Sequence, residues 1–386
     1  MQTKDFRTRT IINSTPFPGK NDEWVIALDI GYSAVKGISQ NGLWCFPSYA
    51  KRIPSDRESL GAPNSSDIRY KDNNGNYWVV GNLAYNEATM DDVHDSVAEH
   101  YGRHWMLSEE YRIIASVGFA LGLQTNSFGN PEGKKIVIQT GLPPKQLFGD
   151  ARNDILDALE GHYSFELAIG GNSFKKYDFD IARNDIYVMA QPLGALISAS
   201  TEKKGKSIAE ARKYFSSDVL VFDPGFNTVD TYHIHKGEVI KENCETFEHY
   251  GMLEIFQRTC NDINNQYNTA FTVVDIQANL ENGKLKIVNK KKMQSFQLDF
   301  SDILEKNRKL VCSEVIEKLK SVYNYFAKVD YIIAAGGTYD AWKDYIAEVF
   351  QDMDSLELIS ANSNDTSLSN IFSNVRGYYF YRINSK

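Results

Sequence analysis

The sequence predicts an α/β protein built from two domains, and three observations carry that reading. The chain has 386 residues, too many for one ordinary hydrophobic core, and domains of about 100 to 200 residues make two the natural number. Short apolar runs of strand length alternate with stretches of helical periodicity, the pattern of an α/β chain. A strand, an acidic glycine turn and a second strand also occur twice. They run through Asp29 and Gly31 in "ALDIGYSAVKG" and through Asp223 and Gly225 in "VFDPGFNTVD", 194 positions apart.

Taken in order, residues 1 to 22 are polar and aperiodic, with Pro16, Pro18 and Gly19 near the end, and read as a loose tail. "WVIALDI" has the length and continuity of a buried strand. "KGISQNGLWCFPS" follows as a second strand with a turn at Asn41 and Gly42, the pair favoured in tight hairpins. Residues 51 to 76 are rich in Ser, Asn, Asp, Gly and Pro. They read as loop or as part of a small variable subdomain at about 45–105. "YWVVGNLA" returns to strand, "EEYRIIASVGFALGL" has the spacing of an amphipathic helix, and "KKIVIQTGLPP" is a strand ending in a Gly/Pro turn.

The second acidic hairpin occupies "DVLVFDPGFNTVDTYHI". A helix is expected from about Gly251 to Asn265, then a polar, Lys-rich segment over 281–307 and a helix through "VCSEVIEKLKSVY". "VDYIIAAGGTYDAW" gives a strand, a double glycine and a helix start. The expected domains are 23–198, completed by 361–386, and 199–360.

Composition narrows the function classes. At 42% hydrophobic and 24% charged residues the chain is of the soluble globular type. It has no run of about 18 apolar residues, and the start "MQTKDFRTRT" lacks the apolar core of a signal peptide, so a cytoplasmic location is expected. Cys45, Cys244, Cys260 and Cys312 are widely spaced and read as reduced structural thiols. The net charge of −8 disfavours direct nucleic-acid binding. His233 and His235 alternate along a strand and share a face, but no third metal ligand stands nearby in sequence.

Neither acidic turn fits the Walker or the dinucleotide fingerprint. In each, an apolar strand delivers an aspartate to a turn where a glycine lets backbone N–H groups approach a ligand. Ser33 and Thr228 supply small hydroxyls for phosphate oxygens, and Lys36 supplies a point charge. Asp29 and Asp223 would repel a phosphate unless a Mg²⁺ ion and its waters lay between. The bland alternative for either turn alone is a tight structural turn.

Five elements in this order resemble the actin, sugar-kinase and heat-shock-chaperone superfamily of ATPases. "DIGYSAVKG" and "DPGFNTVD" resemble its two phosphate motifs, and "IIAAGGTYD" its adenosine motif. "VMAQPLGALIS" and "NVRGYYFY" resemble its two connecting segments. Within it, "YWVVGNLA", "QTGLPPKQLF" and "SNVRGYYFY" are similar to bacterial actin-like proteins of the ParM and Alp type, which segregate plasmids, and to their archaeal relatives. Tyr32 and the bulky pair Pro224 and Phe226 depart from the usual turns.

The resemblance implies a duplicated actin-like, ribonuclease H-like, fold with nucleotide in the interdomain cleft. Asp29 and Asp223 would hold Mg²⁺, directly or through water, and Gln191 would orient the attacking water. Gly31, Tyr32, Ser33 and Lys36 would form one phosphate turn, and Gly225, Phe226, Asn227 and Thr228 the other. Gly336, Gly337 and Thr338 would border the nucleoside, with Gly251, Glu254 and Arg258 near the base and ribose.

Other readings stand beside these. Gln191 caps a helix, Lys36 is a solvated strand residue, and Glu254 with Arg258 is a surface ion pair. The run Tyr378 to Tyr381 is either core packing or a subunit contact. The implied activity is hydrolysis of ATP, or GTP, coupled to head-to-tail self-assembly. DNA would be reached through an adaptor protein, with no membrane partner. The alternative is a small-molecule kinase, with Asp230 as the candidate base.

Overall fold

The computed structural model describes residues 2–54, 62–86, 103–289 and 292–385. Its contacts define two compact units, Thr8–Ala211 with Asn364–Lys386, and Arg212–Ser363 with Met1–Arg7. Residues 55–61 and 87–102 of the expected variable subdomain lie outside the described residues.

The first unit opens with β1 (Ile11–Ser14), β2 (Glu23–Ile30), β3 (Ala34–Ser39) and β4 (Gly42–Pro47), followed by β5 (Ala50–Ile53), β6 (Ile68–Asp72), β7 (Tyr77–Val80) and α1 (Asn82–Asn86). It continues through α2 (Glu109–Gly122), β8 (Lys135–Leu142), α3 (Pro144–Phe148), α4 (Ala151–Leu159), β9 (Gly161–Ile169), β10 (Lys175–Ile181), β11 (Ile186–Ala190) and α5 (Gln191–Ala199). Its C-terminal helix is Ser373–Asn384.

Among the described residues the main sheet has the order β1-β4-β3-β2-β8-β11, and a second sheet has the order β10-β9-β6-β7-β5. In the main sheet the hairpin strands are antiparallel, whereas β2, β8 and β11 run parallel. β2 is buried on both faces, which is why its sequence is continuously apolar. Its residues alternate between two cores. Ile26 and Leu28 pack in the cluster containing α2, and Val25 and Ala27 in the cluster containing the C-terminal helix.

The second unit runs through α6 (Ala211–Ser216), which straddles the boundary, then β12 (Asp218–Pro224), β13 (Thr228–His235), β14 (Glu238–Val239), β15 (Thr246–Glu248), α7 (Met252–Tyr267) and α8 (Val273–Ala278). β16 (Lys284–Asn289), β17 (Gln294–Asp299), α9 (Ser301–Val322), β18 (Tyr331–Ala334), α10 (Gly336–Phe350) and β19 (Glu357–Ser360) complete it. Its sheet order, β14-β13-β12-β18-β19 with β15 on β13, repeats the plan of the first unit. An antiparallel hairpin is again followed by two parallel strands.

Three sequence expectations need correction. The first 22 residues are not a loose tail. Thr3–Phe6 form a 3₁₀ turn with Thr3 buried, and Ile11–Ser14 add an edge strand to β4. Phe17 packs on Tyr379, whose hydroxyl donates to the Pro18 carbonyl at 2.6 Å. Short segments that complete another element's sheet or core carry little periodicity of their own. The Lys-rich 281–307 segment is a hairpin, β16 with β17, leading into a helix that starts at Ser301. Lys36 is not solvated, as described below.

Of the aromatic run, Tyr378, Tyr379 and Phe380 are buried and Tyr381 is half exposed, so the core-packing reading holds. Beside them Arg376 is fully buried. Its guanidinium donates to the Ser198 carbonyl at 2.7 Å and the Thr201 carbonyl at 3.0 Å, tying the C-terminal helix to the end of α5. The four cysteines are free and buried. No helix among the described residues is long and apolar enough to cross a membrane.

Burial also makes the fold sensitive to alkali. It pushes the thiols of Cys45, Cys260 and Cys312 from 9.0 up to about 12. It pushes the phenols of Tyr70 and Tyr232 from 10.0 up to about 12. An acid whose folded value is raised contributes stability that is fully present below its unfolded value and is lost as pH rises toward the folded one. Arg376, lowered by burial to about 10, works in the opposite sense but is outnumbered. The urea midpoint is therefore expected to fall progressively between pH 9.0 and about 12. A flat profile across that window would contradict this burial pattern.

Candidate functional site

The two acidic hairpins fold into the same turn. Gly31 N–H donates to the Ala34 carbonyl at 3.0 Å, and Gly225 N–H to the Thr228 carbonyl at 2.8 Å. A two-residue period then sets which side chain faces each aspartate across the ladder. In β2 and β3, Asp29 stands opposite Lys36; in β12 and β13, Asp223 stands opposite Asp230. The same device therefore carries a compensated carboxylate in one unit and two facing carboxylates in the other.

In the first unit Lys36 Nζ donates to Asp29 Oδ2 at 3.0 Å, with side chains 17% and 6% exposed. At that depth the pair is held by charge neutralisation. The turn is braced from outside, because Ser48 Oγ donates to the Gly31 carbonyl at 2.6 Å and Ser48 N–H to the Ser33 carbonyl at 3.1 Å. Ser48 lies two strands away, and nothing in the motif pointed to it. Tyr32 lays its ring on Trp105, with centroids 5.6 Å apart, and Trp105 meets Tyr111 edge-on at 4.9 Å. The bulk that departs from the usual turn is thus used in packing.

In the second unit three turns from distant parts of the sequence meet. Leu253 N–H donates to the Phe226 carbonyl at 2.8 Å, so α7 starts directly on the Asp223 turn. A Cβ on Gly251 would stand 2.3 Å from that carbonyl oxygen, which excludes a side chain there. Thr338 Oγ1 donates to the Gly225 carbonyl at 2.8 Å, joining the start of α10 to the same turn. Gly336 has φ +83°, a conformation that favours glycine, and a Cβ there would stand 2.9 Å from Asp223 Oδ1. Gly337 is exposed beside it.

The polar groups of this cradle point to a ligand. Asp223 and Asp230 are each 2% exposed, and two facing carboxylates at that depth repel one another and suit a cation. Asp230 accepts from Thr228 Oγ1 at 2.9 Å and from Thr246 Oγ1 at 2.6 Å. Because the Thr228 hydroxyl spends its proton on Asp230, its lone pairs face outward and suit a cation or its waters better than a phosphate oxygen. Asn227 Oδ1 is buried without a hydrogen-bond partner. Asp223, Asn227 and Thr228 thus form an oxygen-rich donor set of the kind that fits Mg²⁺.

The remaining expected residues divide. Gln191 is the first residue of α5, one position after the N-cap Ala190. Phe226 directs its ring toward Phe256, with centroids 6.2 Å apart. Arg258 donates to Glu254 at 2.7 Å and grips Glu314 with both terminal nitrogens, at 2.7 and 2.8 Å. The Glu314 bonds, above all, raise the guanidinium above its ordinary value. That is the ion-pair reading, enlarged by a third residue on α9. His233 and His235 meet Asp218, at 3.7 and 2.6 Å, and among the described residues no group of three His, Cys, Asp or Glu side chains is placed to hold a metal ion.

With this geometry in place, the chain was compared with known proteins. Residues 27–194 match the family model described as "Actin like proteins N terminal domain". No curated protein matches the chain. Among solved structures, a non-polymerisable quadruple mutant of pCBH ParM is 20% identical over 94% of this chain and 99% of its own, with a TM-score of 0.70. A 15-stranded ParM filament from Clostridium botulinum is 20% identical over 94% and 100%, with a TM-score of 0.65. The archaeal actin homologue Ta0583 in complex with ADP is 16% identical over 94% and 100%, with a TM-score of 0.63. At these identities the structures establish the fold. The chain has the actin-like α/β fold, and the resemblance to the actin-like superfamily, near its ParM and Alp types, is borne out.

Proposed function

We propose that this chain, actin-like in fold, is a nucleotide-dependent filament-forming protein that hydrolyses ATP or GTP and moves plasmid DNA through an adaptor protein. The observation that carries the reading is the cradle in the second unit, where the Asp223, Gly251 and Gly336 turns close on one another and leave no room for side chains. Backbone N–H groups at such turns suit phosphate oxygens. The match over residues 27–194 and the likeness to ParM structures support the same class.

In this reading each acidic turn supplies groups suited to a nucleotide. Lys36, which now holds Asp29, would offer its charge to a phosphate oxygen, and the Thr228 hydroxyl, whose proton is committed to Asp230, would act as an acceptor. Mg²⁺, when bound, would neutralise phosphate charge and offset the repulsion between Asp223 and Asp230. Gln191, at the start of α5, orients the attacking water as donor and acceptor. For the kinase alternative the candidate base is Asp230, whose burial and two hydroxyl donors argue against that role.

Phosphate release with Mg²⁺ and either ATP or GTP tests the enzyme reading. Turnover is expected with at least one of them, and Gln191→Ala should reduce it about 10- to 100-fold while nucleotide affinity is retained. Full turnover in that variant would remove the role of Gln191. No turnover by the parent with either nucleotide would overturn the hydrolase reading.

A further inference from the structure

The two acidic turns share a second property that their motifs do not show: in each, groups from elsewhere in the chain hold the turn's own carbonyls. In the first unit the Gly31 carbonyl accepts from Ser48 Oγ at 2.6 Å, and the Ser33 carbonyl from Ser48 N–H at 3.1 Å. In the second unit the corresponding residues, two and four positions after the aspartate, are Gly225 and Asn227. The Gly225 carbonyl accepts from Thr338 Oγ1 at 2.8 Å and from Met252 N–H at 3.3 Å, and the Asn227 carbonyl accepts from His249 N–H at 3.2 Å.

A hydroxyl on the glycine carbonyl and a backbone N–H on the carbonyl two residues later therefore occur twice. The backbone half follows from strand pairing. Ser48 carries the β3–β4 ladder one step beyond Ala34 and Pro47, and His249 carries the β13–β15 ladder one step beyond Thr228 and Glu248. The hydroxyl half does not follow from it. Its source is the ladder residue itself, Ser48, in one unit and the start of α10 in the other. Gly31 and Gly225 are only half-buried, where water satisfies a carbonyl almost as well as a side chain. What a fixed donor adds is orientation.

The effect of that orientation follows from the planar peptide. In a trans peptide a carbonyl and the N–H of the next residue point in opposite directions. Holding the Gly31 and Ser33 carbonyls on Ser48 turns the N–H groups of Tyr32 and Ala34 away from Ser48. Holding the Gly225 and Asn227 carbonyls turns those of Phe226 and Thr228 away from their donors in the same manner. Backbone N–H groups set in this way suit the oxygens of an anion.

We propose that Ser48 and Thr338 are positioning residues for phosphate binding. Each fixes the carbonyl of its turn glycine, so that the N–H groups of that turn are set for phosphate oxygens before a ligand arrives. Ser48 acts on the first turn, and Thr338, whose hydroxyl proton is committed to Gly225, acts on the second. Both roles rest on the nucleotide reading, and the test separates them from it.

Ser48→Ala, Thr338→Val and Thr338→Ser are compared with the parent by calorimetric titration with ATP–Mg²⁺ and GTP–Mg²⁺, at a temperature where circular dichroism shows each to be folded. Ser116→Ala is the control, since that hydroxyl is also buried and donates to the Arg112 carbonyl at 2.7 Å inside α2. The parent is expected to bind at least one of the nucleotides. Ser48→Ala should weaken that binding about five- to tenfold. Thr338→Val should weaken it about threefold, because Met252 N–H still meets the Gly225 carbonyl. Thr338→Ser, which keeps the donor, and Ser116→Ala should stay within about twofold of the parent. Parent-like affinity in Ser48→Ala or Thr338→Val overturns the role at that turn. An equal loss in Thr338→Ser or Ser116→Ala overturns it as well, because affinity would then follow packing and not an oriented carbonyl. A folded parent that binds neither nucleotide overturns the nucleotide reading, and both roles with it.

Discussion

Asp223→Asn is expected to cut nucleotide turnover by about a hundredfold or more while leaving the nucleotide-free protein as stable as the parent, or more so. The second outcome follows from the ladder: Asp223 faces Asp230, and both are buried. Removing one of two facing buried carboxylates relieves their mutual repulsion. Asp29→Asn makes the same chemical change in the other hairpin with the opposite consequence, because it removes the carboxylate that pairs with the 17% exposed Lys36 side chain at 3.0 Å. That variant should lose about 1–3 kcal/mol of stability. Melting temperatures of both variants, with and without nucleotide, check the contrast. A clear destabilisation of nucleotide-free Asp223→Asn would mean that the second turn is a structural element and not a site held in readiness for a cation.

Gly377→Ala should have the largest effect on stability. A Cβ at that position would stand 1.8 Å from the Gly194 carbonyl oxygen, and one at Gly194 2.6 Å from the Asn374 carbonyl oxygen. Both obstacles are backbone, so α5 and the C-terminal helix would have to separate, and the buried Arg376 bonds to Ser198 and Thr201 would lengthen with them. Overpacking of this kind costs about 3 kcal/mol or more, a fall in melting temperature of roughly 6–12 °C for a unit of this size. A melting temperature within about 2 °C of the parent would show that the helices separate at little cost.

Much of this architecture was legible in the sequence, for physical reasons that differ by element. β2 and β12 lie at the centre of their sheets, so their apolar runs are continuous. The glycine turns after them are local and appear as short motifs. β16 was hidden because Leu285 and Ile287 alternate with lysines, and a segment with that composition reads as polar. Its alternation was the available signal. β1 has only four residues, and its place is set by its partner β4.

The candidate site was legible to the extent that it is local. Asp29, Gly31, Asp223, Gly225 and Gly336 stood out, whereas Ser48 and Thr246 reach the turns only through folding. The contrast between the hairpins also needed the register. Lys36 and Asp230 are each seven residues after their aspartate, but only strand pairing shows that they occupy the same place. Tyr32 shows the reverse case: a side chain prominent in a motif packs on Trp105, a partner 73 positions away that the motif does not contain.

The central claim is that nucleotide binding drives self-assembly, and electron microscopy of the purified protein, paired with light scattering, tests it most directly. With ATP or GTP and Mg²⁺, the scattering should rise and filaments should appear; without nucleotide, or with Asp223→Asn, neither should occur. Dispersed particles at every concentration with nucleotide bound, or equal filaments without it, would contradict the account.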